Sequence, residues 1–254
     1  MNVTAILLWY FLRETYVIHD CRMTEDCVPP WLRKRPAAVM AVDRYLRDGM
    51  VVGLGTGNSA NMAIDRIVEY CRDGFEFTFV SSSILTEEYA RAKGLRITDI
   101  DSVDHVDVTF DGADEVSPDL IVIKGLGGAL LKEKIIASMT RTEVLIIDDY
   151  KRVNKLGIKT PLPVEVSRFA HKHSSLMLER LGCIATLRME GNEPFVTDEN
   201  HFIYDCMFNG ISYPEELSNQ IMGIPGVIEC GLFIDLVDSV LSYKENGSIQ
   251  EYRR

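Results

Sequence analysis

The chain has 254 residues, 46% of them apolar, which suits one large or two small globular domains with a proper core. Its formal net charge of −11, from 38 acidic against 27 basic residues, supplies no basic stripe to release counterions from a phosphate backbone, so nucleic acid is not expected as a partner. An anionic small molecule stays open, because a few local N–H groups and lysines suffice to hold one.

Residues 1–30 read as an appended extension, with Met23 as an alternative start. Their apolar run at 3–11 is broken by Arg13 and Glu14 well short of the ~20 residues of a spanning helix. Met1, Asn2, Val3 and Thr4 also lack the basic side chain of a signal peptide, so no membrane segment is expected. Val39, Val42, Tyr45 and Leu46 predict a helix over 36–46, followed by a strand at 50–54, the turn GTGNS and a helix over 60–70. A strand at 77–80 ends in Ser81, Ser82 and Ser83; a helix over 86–93 and a short strand at 96–100 follow. Strands at 106–110, 120–123 and 144–147 continue the alternation, with a helix carrying Glu133 before the last.

This order predicts an α/β fold, a Rossmann-like, mostly parallel sheet with helices on both faces. After Pro161 the texture changes to strands at 164–167, 184–189, 195–198 and 202–208 and helices at 174–181 and 214–222. That pattern predicts a smaller inserted α+β domain, after which the apolar stretch at 231–240 rejoins the first sheet. The expected boundaries are 1–30 for the extension, 31–157 and 228–254 for the Rossmann-like domain, and 158–227 for the small one.

Six scattered cysteines, Cys21, Cys27, Cys71, Cys183, Cys206 and Cys230, form no CxxC pair and suit a reduced, cytoplasmic chain. His171 and His173 sit in a polar HKHSS stretch without a third ligand, so no metal is expected.

Two segments concentrate chemistry. GLGTGNS, residues 53–59, follows a strand and opens a helix, where converging N–H groups and the Thr56 and Ser59 hydroxyls suit an anion. It lacks the third glycine of a dinucleotide fingerprint and is equally compatible with a capped tight turn. The second run, VDVTFDGADEVSPDLIVIKGLGGALLKEK, delivers Asp111, Asp114 and Glu115 to one turn, then Lys124 after the apolar LIVI, a GLGG turn and Glu133 on a helix. Singly, the aspartates suit Asx turns and Glu115 a solvated side chain. Together, Asp111, Asp114, Lys124 and Glu133 converge on the crevice beyond the strand ends, where open α/β sheets bind ligands. That set fits proton transfer between adjacent carbons of a sugar phosphate. Glu133 is the base, Lys124 and the glycine turn hold the enediolate oxygen, and Asp111 and Asp114 serve the hydroxyl protons.

The segments GLGTGNSA, DGADEV, IKGLGGALLKEKIIA, PLPVEV, TDENHFIYD and IPGVIECGLF, in this order, resemble type A ribose-5-phosphate isomerases over about residues 34–240. The resemblance implies reversible interconversion of D-ribose 5-phosphate and D-ribulose 5-phosphate in the non-oxidative pentose phosphate pathway, with no metal or cofactor. It also implies a homo-oligomer, dimer or tetramer, and Glu133 as proton acceptor. The implied substrate contacts are Thr56, Gly57, Asn58 and Ser59, then Asp111, Gly112, Ala113 and Asp114, then Lys124, Gly125, Leu126 and Gly127, and finally Lys151. Asn58 and Leu126 depart from the family pattern, the first replacing a hydroxyl and the second interrupting the glycines. The family's early lysine falls near Lys34 and Arg35. Two enzymes of related fold fit less well: a hexosamine-phosphate deaminase wants a histidine in a DGH-type motif, and a CoA transferase a glutamate in another glycine context. A sugar-phosphate-sensing regulator wants a DNA-reading domain, and the acidic charge with no helix-turn-helix pattern in this sequence argues against it.

Overall fold

Short β-branched runs that end in glycine, serine or aspartate turns build the central sheet, and small residues on the first helix let it lie close. The computed structural model describes Pro29 and residues 32–254. The expectations for residues 1–28, including Met23, Cys21 and Cys27, lie outside the described residues. Contacts divide the chain into units 1–33 and 34–254. In the first, Leu32 N donates to Pro29 O at 2.8 Å.

In the second unit, α1 (Arg35–Tyr45) buries Ala37, Ala38, Ala41 and Val42. It is followed by β1 (Val51–Leu54), α2 (Asn58–Arg72), β2 (Thr78–Ser81), α3 (Ile84–Ala92) and β3 (Val108–Asp111). Next come β4 (Glu115–Val116), β5 (Val122–Ile123), α4 (Leu130–Met139), β6 (Glu143–Asp148), β7 (Leu162–Val166), α5 (His171–Glu179) and β8 (Ile184–Leu187). The chain ends through β9 (Met189–Glu190), β10 (Glu193–Pro194), β11 (Phe202–Met207), α6 (Pro214–Met222), β12 (Val227–Cys230), β13 (Leu232–Phe233), β14 (Ser239–Tyr243) and β15 (Ile249–Arg253).

The main sheet has the order β15-β14-β6-β3-β1-β2. All its pairs are parallel except β14 with β15. Val52 pairs with both Phe79 and Val108, and Phe110 with Val144, so Leu54, Asp111 and Asp148 end on one edge. The inner strands β3, β6 and β14 are buried on both faces and read as largely apolar runs, whereas the edge strand β15 is half-exposed. The expected strand at 120–123 does not join it. It shortens to β5 and pairs antiparallel with β4 and β13 in a separate three-stranded sheet. A third sheet, β12-β7-β11-β8, is antiparallel throughout and packs Leu162, Val164, Val166, Leu178, Tyr204 and Ile221 into its own core.

Two expected strands are corrected. Residues 96–100 contribute only the bridge of Ile97 with Phe79; the Asp99 side chain accepts from Asp101 N at 3.1 Å and starts a 3-10 turn. Residues 195–198 form no strand, because Thr197 N and His201 O close a turn at 2.9 Å around Asn200, whose φ is 63°. Asp198 there accepts from Ile84 N, the first residue of α3, at 2.8 Å.

Candidate active site

Lys124 stands where β5 gives way to the KGLGG turn and is only 3% exposed. Its Nζ donates to Asp111 Oδ2 at 2.8 Å and to Gly112 O at 2.7 Å. A third neighbour, Glu133 Oε2, lies 3.4 Å away and has no hydrogen-bond partner. Glu133 sits in the first turn of α4, its N–H bonded to Ala129 O at 2.9 Å. Its flanking lysines turn elsewhere. Lys132 reaches Glu199 at 2.9 Å and Lys134 reaches Glu229 at 2.7 Å, so the helix periodicity leaves Glu133 alone facing the crevice.

The electrostatics of this trio follow from burial. Burial disfavours the Lys124 ammonium, but the carboxylates of Asp111 and Glu133 outweigh that and raise its pKa above the ordinary lysine value. For Glu133 burial dominates in the other direction and pushes its pKa up from the ordinary 4.5 to about 8, with Lys124 opposing and Asp111 and Asp114 reinforcing. A carboxyl so poised can take a proton near neutrality and return it.

Asp111 ties three parts together. Besides Lys124, it accepts from Thr56 N at 3.1 Å and from its neighbour Gly112 N at 2.7 Å. The first turn can approach because Gly55 has no side chain: a Cβ there would fall 2.1 Å from Asp111 Cγ. Asp114 is half-buried and accepts from Leu126 N at 3.0 Å, linking the second turn to the third. Ala113 O accepts from Lys151 Nζ. Burial lowers the Lys151 pKa, helped by Lys34 and Lys124 and opposed by Asp114 and Asp148.

At the first turn Gly57 adopts φ 105° and precedes α2, whose N-terminus no side chain caps. Asn58 is exposed there. The Ser59 hydroxyl is already spent, donating to Ile146 O at 2.7 Å, which leaves the backbone N–H as its remaining donor. Thr56 Oγ1 lies within hydrogen-bond distance of Ser82 and Ser83, at 2.8 and 2.9 Å. Lys34 and Arg35 separate cleanly: Lys34 is buried and donates to Asp148 at 2.8 Å, whereas Arg35 is exposed beside Glu69.

The third turn accepts Leu126 because the demanding positions lie on either side. Gly125 and Gly128 adopt φ 104° and 87°, and a Cβ would meet Leu130 at 2.7 Å or Phe195 at 2.4 Å. Leu126 is 40% exposed and has no positive φ.

Glu115 was expected in solvent, yet it is fully buried and accepts from the N–H groups of Gly157, Lys159 and Thr160 at 2.6, 2.7 and 2.7 Å. It anchors the loop before β7. Nothing in the sequence singles out Arg188, because its partners are distant in the chain: it donates to Gly125 O at 2.9 Å and Leu126 O at 3.1 Å. An open groove of about 820 Å³ along α1 is lined by Arg35 but by none of Thr56, Asp111, Asp114, Lys124, Glu133 or Lys151. Among the described residues no cluster of His, Cys, Asp or Glu suits a metal ion, and no helix is long and apolar enough to cross a membrane.

A parallel sheet, glycine turns at its carboxyl edge and a buried carboxylate beside a buried lysine define an α/β enzyme suited to proton transfer on a small polar substrate. The family model of ribose 5-phosphate isomerase A (phosphoriboisomerase A) matches residues 78–247. Ribose-5-phosphate isomerase A of Gloeobacter violaceus is 43% identical over 215 residues, covering 84% of this chain and 93% of that protein. A ribose 5-phosphate isomerase structure from Plasmodium falciparum is 30% identical with a TM-score of 0.85, over 88% of this chain and 99% of that one. A D-ribose-5-phosphate isomerase solved with phospho-erythronic acid is 35% identical with a TM-score of 0.83, over 87% and 98%. The chain belongs to the ribose 5-phosphate isomerase A family and is an isomerase.

Proposed function

We propose that the site interconverts D-ribose 5-phosphate and D-ribulose 5-phosphate through an enediolate, in the non-oxidative pentose phosphate pathway. The observation that carries this reading is the buried Lys124 Nζ held between Asp111 and Glu133. Glu133 takes the C2 proton of the open-chain aldose, the electron pair forms the C1–C2 double bond, and the negative charge settles on the C1 oxygen. Lys124 and the N–H groups of Gly125 and Gly127 stabilise that charge, the Leu126 N–H holds Asp114 beside it, and Glu133 returns the proton to C1.

Asp114, half-buried, moves the hydroxyl proton between O2 and O1, while Asp111 contributes chiefly by holding Lys124 and Thr56. The phosphate lies against the N-terminus of α2, at Thr56, Gly57, Asn58 and the Ser59 N–H. Gly112 and Ala113 shape the wall between, and Lys151 adds positive charge at the mouth. Residues 158–227 are read as a small α+β domain beside a Rossmann-like body of 31–157 and 228–254; the separate antiparallel sheet supports a second layer there, although its edge strand β12 runs on to Cys230, three residues past that boundary. The protein acts in the cytoplasm as a homo-oligomer, dimer or tetramer, with no nucleic-acid partner and no cofactor.

The test is incubation of the purified protein with ribose 5-phosphate and assay for ketopentose. Metal-independent formation of ribulose 5-phosphate is expected. Absence of any ketopentose from folded protein contradicts the reading.

A further inference from the structure

Arg188 follows β8 on the four-stranded sheet, and its backbone is locked on both sides. Its N–H donates to Ile203 O at 2.8 Å, and its carbonyl accepts from Phe195 N at 2.9 Å. The side chain is 12% exposed. Nε donates to Asp205 Oδ2 at 2.9 Å and Nη2 pairs with Asp205 Oδ1, a fork from the neighbouring strand β11. Nη1 is thereby aimed at the third turn, where it donates to the carbonyls of Gly125 and Leu126. The guanidinium also lies 5.8 Å over the ring of Phe195, the ring that fills the space beside Gly128.

A trans peptide is planar, with its C=O and N–H pointing in opposite directions. A grip on Gly125 O therefore directs the Leu126 N–H away from Arg188, and that N–H is found on Asp114 Oδ2 at 3.0 Å. A grip on Leu126 O likewise directs the Gly127 N–H away from Arg188, and Gly127 lies beside the first turn, a Cβ there standing 3.7 Å from Thr56 Cγ2. We infer that Arg188, held by Asp205, is a positioning residue for the isomerisation, aiming the Leu126 and Gly127 N–H groups across the crevice. The inference rests on the reading of this turn as the enediolate-binding loop. A lysine cannot replace the fork, since its point charge does not fix two carbonyls and one carboxylate in a plane.

The experiment compares purified Arg188→Ala, Arg188→Lys, Asp205→Asn and Glu133→Gln, each checked for folding by thermal melt. It measures kcat and KM for ribose 5-phosphate and Kd for phospho-erythronic acid. Arg188→Ala is expected to lose about tenfold or more in kcat, with KM within about threefold and weaker binding of the acid, because misaimed donors cost most where charge develops. Arg188→Lys and Asp205→Asn should fall between it and the parent. Millimolar guanidinium ion should restore part of the kcat of Arg188→Ala and none of that of Glu133→Gln. A folded Arg188→Ala with unchanged kcat, or with only KM raised and binding of the acid intact, overturns the inference. If that variant does not fold, Arg188→Lys decides, and parental kcat there overturns it. Full activity in Glu133→Gln would instead sink the mechanism itself, whatever Arg188 does.

Discussion

At the residue scale the site is a problem of buried charge. Two buried carboxylates share one buried ammonium, and the surplus negative charge joins desolvation in raising the proton affinity of Glu133. A base must be deprotonated, so kcat/KM should fall with decreasing pH through a pKa well above the ordinary 4.5, near the value of about 8 that its surroundings impose. A pH profile with its acid limb in the normal carboxylate range contradicts this. The same shift has a stability sign. A folded pKa above the unfolded one means that the native state holds the proton more tightly, so stability falls as pH rises from the unfolded value through the folded one. Glu133→Gln removes that loss. Its melting temperature should match the parent below about pH 4 and exceed it at pH 9, as thermal melts across pH would reveal.

Lys124→Ala strands Asp111 without its counter-ion. Breaking a buried pair costs about 3–5 kcal/mol, so lower stability should accompany the loss of activity. With folding confirmed, kcat should drop about 10²-fold or more, as for removal of one oxyanion donor, while KM moves less. A variant with raised KM alone marks Lys124 as a phosphate anchor.

At the element scale the turns carry the design, and their demands differ by position. Gly128→Ala meets both a positive φ and the Phe195 ring, so it should cost at least about 1–2 kcal/mol and reduce kcat. Leu126→Gly meets neither and should change stability by less than about 1 kcal/mol. Chemical denaturation of the two variants checks the contrast, and equal losses would mean that the path of the turn does not depend on Gly128.

The catalytic run was legible in the sequence because strand, carboxylates, lysine and helix follow one another within 29 residues, 106–134. Three things were not. Glu115 looks like its neighbours in DGADEV, and only the loop at 157–160, far along the chain, makes it a buried anchor. Arg188 is ordinary in sequence until a partner 63 residues away meets it. The last strand, β15, carries the polar IQEYR and half-exposed side chains of an edge, so no apolar period announces it.

At the scale of the whole molecule, the parallel sheet sets the strand ends, the three-stranded sheet sets Lys124, and the four-stranded sheet sends Arg188 back to the glycine turn. All of these lie within residues 34–254, one compact unit. Deleting residues 1–22 should therefore leave kcat/KM and melting temperature close to those of the full chain. Loss of active, folded protein on truncation would assign the extension a structural task.

In this mechanism Glu133 carries the proton between C2 and C1. The most direct measurement of that transfer is ribose 5-phosphate turnover in deuterated water by Glu133→Gln, following both ketopentose and deuterium entry into substrate and product. Glutamine keeps the shape but cannot accept the proton, and a positioned general base contributes about 10²- to 10⁴-fold. The folded variant should still bind phospho-erythronic acid, isomerise at least about 10²-fold more slowly and introduce deuterium no faster than it isomerises. Turnover near that of the parent in the folded variant contradicts the mechanism.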